Sequence, residues 1–249
     1  MTESTDRRIE LANSLTLLKN RLSTVAENTG RKVEEIELLP VTKFFPAADI
    51  NILTSLGCRS FGEARDQEAR AKIDEARRDP AWPADVRWHM VGQIQRNKAR
   101  SIATWAAVVH SVSSTRVAAA LDRGAADALA AGHRAAPLGV YVQISLDGDV
   151  SRGGVDVNAP AEVDALCSQV DAADGLEFVG LMGVPPLGSD PDAAFAALAA
   201  ELRRVQDGFP QRLGLSAGMT QDLEIAVKHG STCVRVGTAL MGPRPLTSP

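Results

Sequence analysis

Short apolar runs alternate with longer amphipathic segments along most of the chain, and no other feature limits its fold as strongly. Apolar residues in the longer segments recur at the spacing of a helix. Strands that alternate with helices pair in parallel, because each helix crosses one face of the sheet before the next strand begins. The predicted strands are Ile36–Thr42, Ser60–Phe61, Val86–Val91, Val108–Val112, Leu138–Ser145, Phe178–Met182, Leu213–Ser216 and Cys233–Val236.

About eight strand–helix units in a chain of 249 residues predict a single α/β domain, a closed (β/α)₈ TIM barrel over residues 1–249. An open doubly wound sheet is the alternative, since the number of units does not establish closure. No segment rich in Pro, Gly and Ser divides the chain into two domains. The predicted helices between the strands are Ala47–Leu56, Ala64–Arg77, Asn97–Ala106, Thr115–Ala131, Pro160–Ala173, Asp192–Gln206 and Thr220–Lys228.

Four further segments lie outside this repeat. Residues 7–28 predict an additional amphipathic helix before the first strand. Residues 243–249 are expected to form a frayed tail. The segments Pro80–Ala84 and Asp147–Gly154 are long enough to border a functional site.

Charge and cysteine content argue against several classes of protein. The formal net charge is −4, which disfavours general nucleic-acid binding. Met1–Arg8 is polar, and no apolar run approaches the roughly 20 residues that span a bilayer. The three cysteines are far apart, so they indicate reduced thiols in the cytoplasm rather than a zinc site or a disulfide framework. The sequence has no long apolar surface stripe that would indicate an oligomer, so we expect a monomer.

Glycine and hydroxyl residues follow the last two predicted strands, where barrels often bind phosphate. Gly218 and Gly237 allow backbone N–H groups to approach an anion closely. Ser216 and Thr238 offer hydroxyl groups, and a helix capped by Thr220 would direct its positive end at the same place. Turns and helix caps alone would account for either loop. The two loops together predict a phosphate site.

Lys43 ends the first predicted strand. A lysine at a strand end is most often a solvated surface residue. A partly desolvated lysine above the mouth of a barrel is instead a nucleophile that forms a Schiff base. An amine and a phosphate site on one face match the two ends of pyridoxal 5′-phosphate.

An ordered set of short motifs resembles the pyridoxal-phosphate homeostasis protein family (the YggS/PROSC group). The similarity runs from about Leu39 to Gly242, nearly the whole chain, and the order of the motifs is more specific than any one of them. The motifs are Val41-Thr42-Lys43, Phe61-Gly62-Glu63, Trp88-His89-Met90-Val91-Gly92, Gln95-Arg96-Asn97-Lys98, Gly180-Leu181-Met182, Leu215-Ser216-Ala217-Gly218-Met219 and Val234-Arg235-Val236-Gly237-Thr238-Ala239.

The resemblance implies a barrel of the alanine-racemase N-terminal type that binds pyridoxal 5′-phosphate without established catalytic activity. It implies a role in vitamin B6 balance, with transient contacts to apo forms of cofactor-dependent enzymes. It assigns an internal aldimine to Lys43 and places Arg235 beside the pyridine nitrogen. The candidate cofactor-binding residues are Lys43, His89, Met182, Ser216, Gly218, Met219, Arg235, Gly237 and Thr238, with no catalytic residue and no metal ligand among them.

Arg235 bears on what the cofactor could do. A cation beside the ring nitrogen disfavours protonation of that nitrogen, which makes the ring a weaker electron sink. Such a site suits storage of the cofactor better than transamination. A salt bridge inside the barrel is the alternative role for Arg235.

Three segments depart from the usual pattern of the family. Ala64 replaces an asparagine that tends to lie near the cofactor, and Phe44-Phe45-Pro46 replaces a segment with a second lysine. Arg152 replaces a common lysine. These changes put a secondary lysine site in doubt and leave Lys43 and the phosphate loops untouched.

Three other functions fit parts of the sequence. A racemase or decarboxylase that uses this cofactor needs a second base. The single tyrosine, Tyr141, lies inside a predicted strand, and His89 would have to serve as a lone base. The segment Gly214–Gly218 matches the GxSxG motif of serine hydrolases, but Asp222 and His229 lie on or beside one short helix and cannot readily converge on a serine. A phosphate-binding barrel without a cofactor would share the same loops and give Lys43 another role.

Overall fold

Eight parallel strands form the wall of a closed barrel in the computed structural model, which describes residues 2–244 and their side chains from residue 5 onward. The order of strands around the wall is β1-β9-β8-β7-β5-β4-β3-β2. Val41 and Gly62 close the barrel between β1 and β2, where the Thr42 N–H also donates to the Gly62 carbonyl at 2.9 Å. The strands are β1 Glu37–Pro40, β2 Ser60–Glu63, β3 Arg87–Met90, β4 Val108–Val112, β5 Leu138–Ser145, β6 Val155–Asp156, β7 Leu176–Gly183, β8 Gly214–Ser216 and β9 Cys233–Val236.

Helices surround this wall. The predicted (β/α)₈ barrel is therefore confirmed, and the alternative of an open doubly wound sheet is wrong. The short strand β6 pairs only with β5 and lies outside the ring. The helices are α1 Thr2–Asn28, α2 Ala47–Ser55, α3 Asp66–Ala76, α4 Ala99–Trp105, α5 Thr115–Ala130, α6 Pro160–Asp171, α7 Pro191–Gln206, α8 Leu223–Lys228 and α9 Thr238–Met241.

Helix α1 is the predicted additional helix and begins five residues before its predicted start. Leu11, Leu15, Leu18 and Leu22 are buried and pack with residues of α8, α9 and the outer side of β9. Ile9, an apolar residue of the same helix, is 55% exposed and does not join this buried face. No helix in residues 2–244 is long and apolar enough to cross a membrane.

Two elements escaped prediction because they are short: β6 has two residues and α9 has one turn. Helix α8 begins at Leu223 rather than at Thr220, so Thr220 does not cap it. The Asp222 carboxylate instead accepts the Met219 N–H at 2.6 Å, and the Thr220 hydroxyl accepts the Ala239 N–H at 3.3 Å.

The two predicted border loops lie at opposite ends of the barrel. Pro80–Ala84 joins α3 to β3 and lies at the amino ends of the strands, so its prediction as a border of the site was wrong. Asp147–Gly154 follows β5 and lies at the carboxyl ends. Of the tail 243–249, residues 245–249 lie outside the described part, and the Arg244 guanidinium lies 3.8 Å from the centre of the Phe44 ring.

Gly180 allows β7 and β8 to approach closely. Its φ is +150°, and the register between β5 and β7 shifts between Val140 and Tyr141, opposite this part of β7. A Cβ atom at Gly180 would lie 1.9 Å from the Gly214 carbonyl oxygen, on the strand that carries Ser216. A side chain there would force the two strands apart.

We therefore expect Gly180→Ala to lower the free energy of unfolding by about 3 kcal/mol, because the methyl group overlaps backbone that cannot move aside. Urea denaturation followed by circular dichroism measures the change. Gly132→Ala is the matched control: its φ is +71° and no heavy atom lies within 4 Å of the added Cβ. A larger loss for the control than for Gly180→Ala would contradict this account.

Candidate functional site

One cavity of about 480 Å³ opens at the carboxyl ends of the strands. Its wall combines two cations, Lys43 and Arg235, with the hydroxyls of Thr220 and Thr238. Apolar side chains cover much of the remaining wall, and one carboxylate, Asp222, is present. The complete lining is Val41, Lys43, Val91, Met182, Val184, Met219, Thr220, Gln221, Asp222, Arg235, Gly237 and Thr238.

Lys43 extends from the end of β1 into this cavity on a constrained segment of backbone. The next residue, Phe44, has a φ of +72°, a conformation that side chains with a Cβ rarely adopt. The Lys43 Nζ lies 5.8 Å from the centre of the Phe44 ring, and the Arg65 guanidinium lies 5.9 Å from it. Three cations, with Arg244, therefore surround one aromatic ring beside the cavity.

A buried ion pair fixes the backbone just before Lys43. The Lys72 ammonium donates to the Glu63 Oε1 at 2.6 Å and to the Thr42 carbonyl at 2.8 Å. The Thr42 hydroxyl also donates to the same Glu63 oxygen at 2.7 Å. Glu63 is fully buried, its Oε2 has no hydrogen-bond partner, and burial raises its pKa despite the opposing charge of Lys72.

Arg235 lies at the bottom of the cavity and is 7% exposed. Its Nη1 donates to the Ser216 hydroxyl at 2.5 Å and its Nη2 donates to the Gly183 carbonyl at 3.2 Å. Burial lowers the pKa of this guanidinium, and the nearby Cys233, Asp222 and Tyr141 oppose that effect. No carboxylate forms an ion pair with Arg235 among the described residues, so its charge is directed at the cavity rather than at a salt bridge.

Ser216 lies below the cavity and is fully buried. Its Oγ lies 2.8 Å from the His110 Nδ1, and the His110 Nε2 lies 3.0 Å from the His89 Nδ1. The GxSxG serine therefore has a histidine neighbour, but its hydroxyl is closed to any substrate. Asp222 and His229 do not approach it: Asp222 accepts the Met219 N–H, and His229 contacts Asp192 at 3.0 Å.

The sequence profile of the alanine racemase N-terminal domain matches residues 14–245 of the chain. The pyridoxal phosphate homeostasis protein of Mycobacterium tuberculosis is 58% identical over 249 residues, which cover 98% of this chain and 96% of the relative. The chain belongs to the pyridoxal phosphate homeostasis protein family. The relative in Escherichia coli K12 is 32% identical over 238 residues, covering 94% of this chain and 97% of that protein.

Two solved structures have a similar fold. PipY of Synechococcus elongatus with pyridoxal phosphate bound superposes with a TM-score of 0.78 at 34% identity, covering 94% of this chain and all of PipY. Alanine racemase from Corynebacterium glutamicum has a TM-score of 0.65 at 16% identity, covering 94% of this chain and 60% of the racemase. The second likeness shows the shared barrel fold alone.

The structure brings six of the nine predicted residues of this homeostasis-family chain into one cavity: Lys43, Met182, Met219, Arg235, Gly237 and Thr238. Gly218 adjoins the cavity with a φ of +90°, and its carbonyl accepts the Arg235 N–H at 2.9 Å. Ser216 and His89 lie beneath the wall instead of on it.

Sequence reasoning missed His110 and Lys72, although each left a signal. His110 is a polar residue inside the apolar strand β4. Lys72 shares a face of α3 with the buried residues Ala69, Ile73 and Ala76, where a lysine needs a partner. A polar side chain on a buried face marks an internal contact, but only the structure identifies that contact.

The buried histidines make stability depend on pH. Burial lowers the pKa of His89 from its ordinary 6.5 to about 4. The unfolded chain therefore binds a proton below pH 6.5 that the folded chain refuses, so the stabilisation present above pH 6.5 is lost as pH falls toward 4. The shift in the pKa of His89 corresponds to about 3 kcal/mol.

We expect His89→Gln to flatten the decline of unfolding free energy between pH 6.5 and pH 4, measured by urea denaturation at a series of pH values. His133→Gln is the control, because His133 is exposed. An equally steep decline in wild type and His89→Gln would assign the pH dependence to other groups.

Proposed function

We propose that this chain binds pyridoxal 5′-phosphate covalently through Lys43 and serves vitamin B6 homeostasis without turning over a substrate. The observation that carries the proposal is the single cavity that joins an amine from β1 to the loops after β8 and β9. Relatives at 58% and 32% identity carry the name of that role, and PipY holds this cofactor in a barrel of the same fold.

The cavity has the size and chemistry for this group. A volume of about 480 Å³ lies within the usual range for small-molecule sites. Val41, Val91 and Met182 offer apolar contact for the ring, while Thr238 offers a hydroxyl for the phosphate. Gly237 has only Val41 atoms within 4 Å of the place a Cβ would occupy, so an anion can approach its backbone. When bound, the cofactor supplies an aldehyde for the amine of Lys43.

Asp222 holds a backbone donor in this site. Its Oδ1 accepts the Met219 N–H at 2.6 Å, while the carboxylate itself lines the cavity. A phosphate that binds the Met219 N–H would replace this contact. For a phosphate to bind there, the Asp222 side chain would turn away from Met219.

The composition of the wall favours holding the cofactor over reacting with it. Racemisation needs a base on each face of the ring, and within the described part of the chain no histidine, tyrosine or cysteine lines the cavity. The carboxylate of Asp222 does line it, but this group accepts the Met219 N–H. Tyr141 and His89 are both buried in the barrel interior. Arg235 adds a cation at the bottom of the site, where it keeps the ring a weak electron sink.

The wider role follows from the same features. Cys58, Cys167 and Cys233 are free thiols, in keeping with the reducing cytoplasm. We propose that the barrel over residues 1–249 acts as one binding domain and as a monomer. Apo forms of cofactor-dependent enzymes are its proposed transient partners, since the cavity mouth opens to solvent at Lys43.

We expect the purified protein to absorb visible light and borohydride to fix the cofactor on Lys43, because an imine between Lys43 and the aldehyde extends the conjugation of the ring. Lys43→Ala should lose the band. Lys98→Ala is the matched control, since Lys98 also follows a strand at this end but lines a neighbouring cavity. A normal band in Lys43→Ala refutes the assignment, and a phosphate-binding barrel without the cofactor would show no band in wild type.

Thr238→Val tests the phosphate loop. The isosteric change removes one hydroxyl from the cavity wall, and we expect about tenfold weaker retention of the cofactor in equilibrium dialysis. Thr16→Val on the exposed side of α1 is the control and should leave retention unchanged. Equal retention of the cofactor in both variants would indicate that the phosphate binds to another part of the cavity wall.

A further inference from the structure

A continuous line of polar side chains crosses the barrel interior from its amino end to the cavity. We call it the polar column, and it consists of Glu37, His89, His110, Ser216 and Arg235. The contacts between neighbours are 3.8 Å from the Glu37 Oε1 to the His89 Nε2, 3.0 Å between the histidines, 2.8 Å from His110 to Ser216, and 2.5 Å from Ser216 to Arg235. The three middle residues are at most 1% exposed.

The Glu37 end of the polar column determines the direction of its hydrogen bonds, and the Arg235 end is consistent with that direction. Arg235 can only donate, so the Ser216 oxygen accepts from it. The single Ser216 proton is then free for the His110 Nδ1. At the other end the Glu37 carboxylate can only accept, so the His89 Nε2 that faces it carries a proton. Each histidine therefore has its proton on Nε2, and His110 donates to the His89 Nδ1.

Burial keeps both rings neutral, as this arrangement requires. Desolvation lowers the pKa of His110 well below its ordinary value, and His89 and Arg235 lower it further. The pKa of His89 falls to about 4 for the same main reason, with Glu37 opposing and Arg87 adding to the fall. A second proton on either ring would remove an acceptor and break the column.

The His89 Nε2 has no hydrogen-bond partner within 3.5 Å, although it is buried. Its proton points toward a carboxylate 3.8 Å away whose side chain is 33% exposed at the amino end of the barrel. Glu37 thus connects the buried column to solvent on the side opposite to the cavity. The column links the two ends of the molecule through four polar contacts.

We propose that His110, through Ser216, and His89, through His110, are positioning residues that fix the Arg235 guanidinium beneath the cofactor ring. Without His110 the Ser216 hydroxyl loses its histidine acceptor and can turn from Arg235 to the Cys233 thiol, its other neighbour. The guanidinium then keeps only the Gly183 carbonyl as a side-chain contact. The effect on the cofactor rests on the function proposed above. The expected tautomers of the two histidines do not depend on that function.

The tautomers are measured on the wild-type protein free of cofactor. Long-range ¹H–¹⁵N spectra of ¹⁵N-histidine-labelled protein at pH 7 distinguish a protonated Nε2 from a protonated Nδ1. We expect both His89 and His110 as neutral rings with the proton on Nε2. A proton on the His110 Nδ1, or a charged ring at either position, overturns the proposal without reference to the cofactor.

Three variants then measure the effect on the loaded protein. His110→Leu removes the acceptor for Ser216, while His110→Asn places an amide oxygen near the position of Nδ1. Tyr141→Phe is the control, because the Tyr141 ring stacks on His110 at 4.7 Å and its hydroxyl lies outside the polar column. Circular dichroism selects folded variants for comparison.

We expect His110→Leu to weaken cofactor retention about tenfold and to shift the pH midpoint of the visible band, with His110→Asn and Tyr141→Phe close to wild type. A purely structural role would give the two His110 variants the same defect and leave the midpoint unchanged, which overturns the proposal. Absence of the visible band in wild type would contradict the proposed function instead. The measured tautomers of His89 and His110 would still test the hydrogen bonds of the polar column.

Discussion

Closure of the barrel between β1 and β2 is the constraint on which the site depends. The first and second strands are short, and their union rests on Val41, Thr42 and Gly62. The Glu63–Lys72 pair ties the same point to α3 through two bonds that involve Thr42. Removing one partner from a buried ion pair is strongly destabilising, because the other charge is left without compensation. Lys43 follows directly, so barrel closure also places the amine.

The interior of the barrel contains more polar groups than its packed apolar layers require. His89, His110 and Ser216 occupy positions that branched apolar residues usually fill in such barrels. Each of the three is matched to a neighbour with complementary donors and acceptors, so burial of polar atoms is compensated except at the His89 Nε2. Val108, Tyr141 and Met182 form an apolar cluster of their own, and the Tyr141 ring stacks on His110.

Much of this fold was predictable because each strand is an apolar run bounded by turn residues. The positions of Lys43, Gly237 and Thr238 after their strands were sufficient to place them on one face. Ser216 shows the limit of such reasoning, since a position at a strand end does not say how deep below the cavity the side chain lies. The start of α8 was missed because Asp222 forms a local contact with Met219 that competes with the helix. Contacts between distant segments, such as that of Lys72 with Thr42, produce no recognisable pattern of residue spacing in the sequence.

The stacking of Arg244 on Phe44 gives the carboxyl end of the chain an influence on spectra. Phe44 adjoins Lys43, the lysine proposed to hold the cofactor, and Arg244 is five residues from the end of the sequence. Removing Arg244 would take one of three positive charges away from the ring beside Lys43. Absorbance titrations are therefore best recorded on protein that retains Arg244, so that the recorded midpoint belongs to the protein itself.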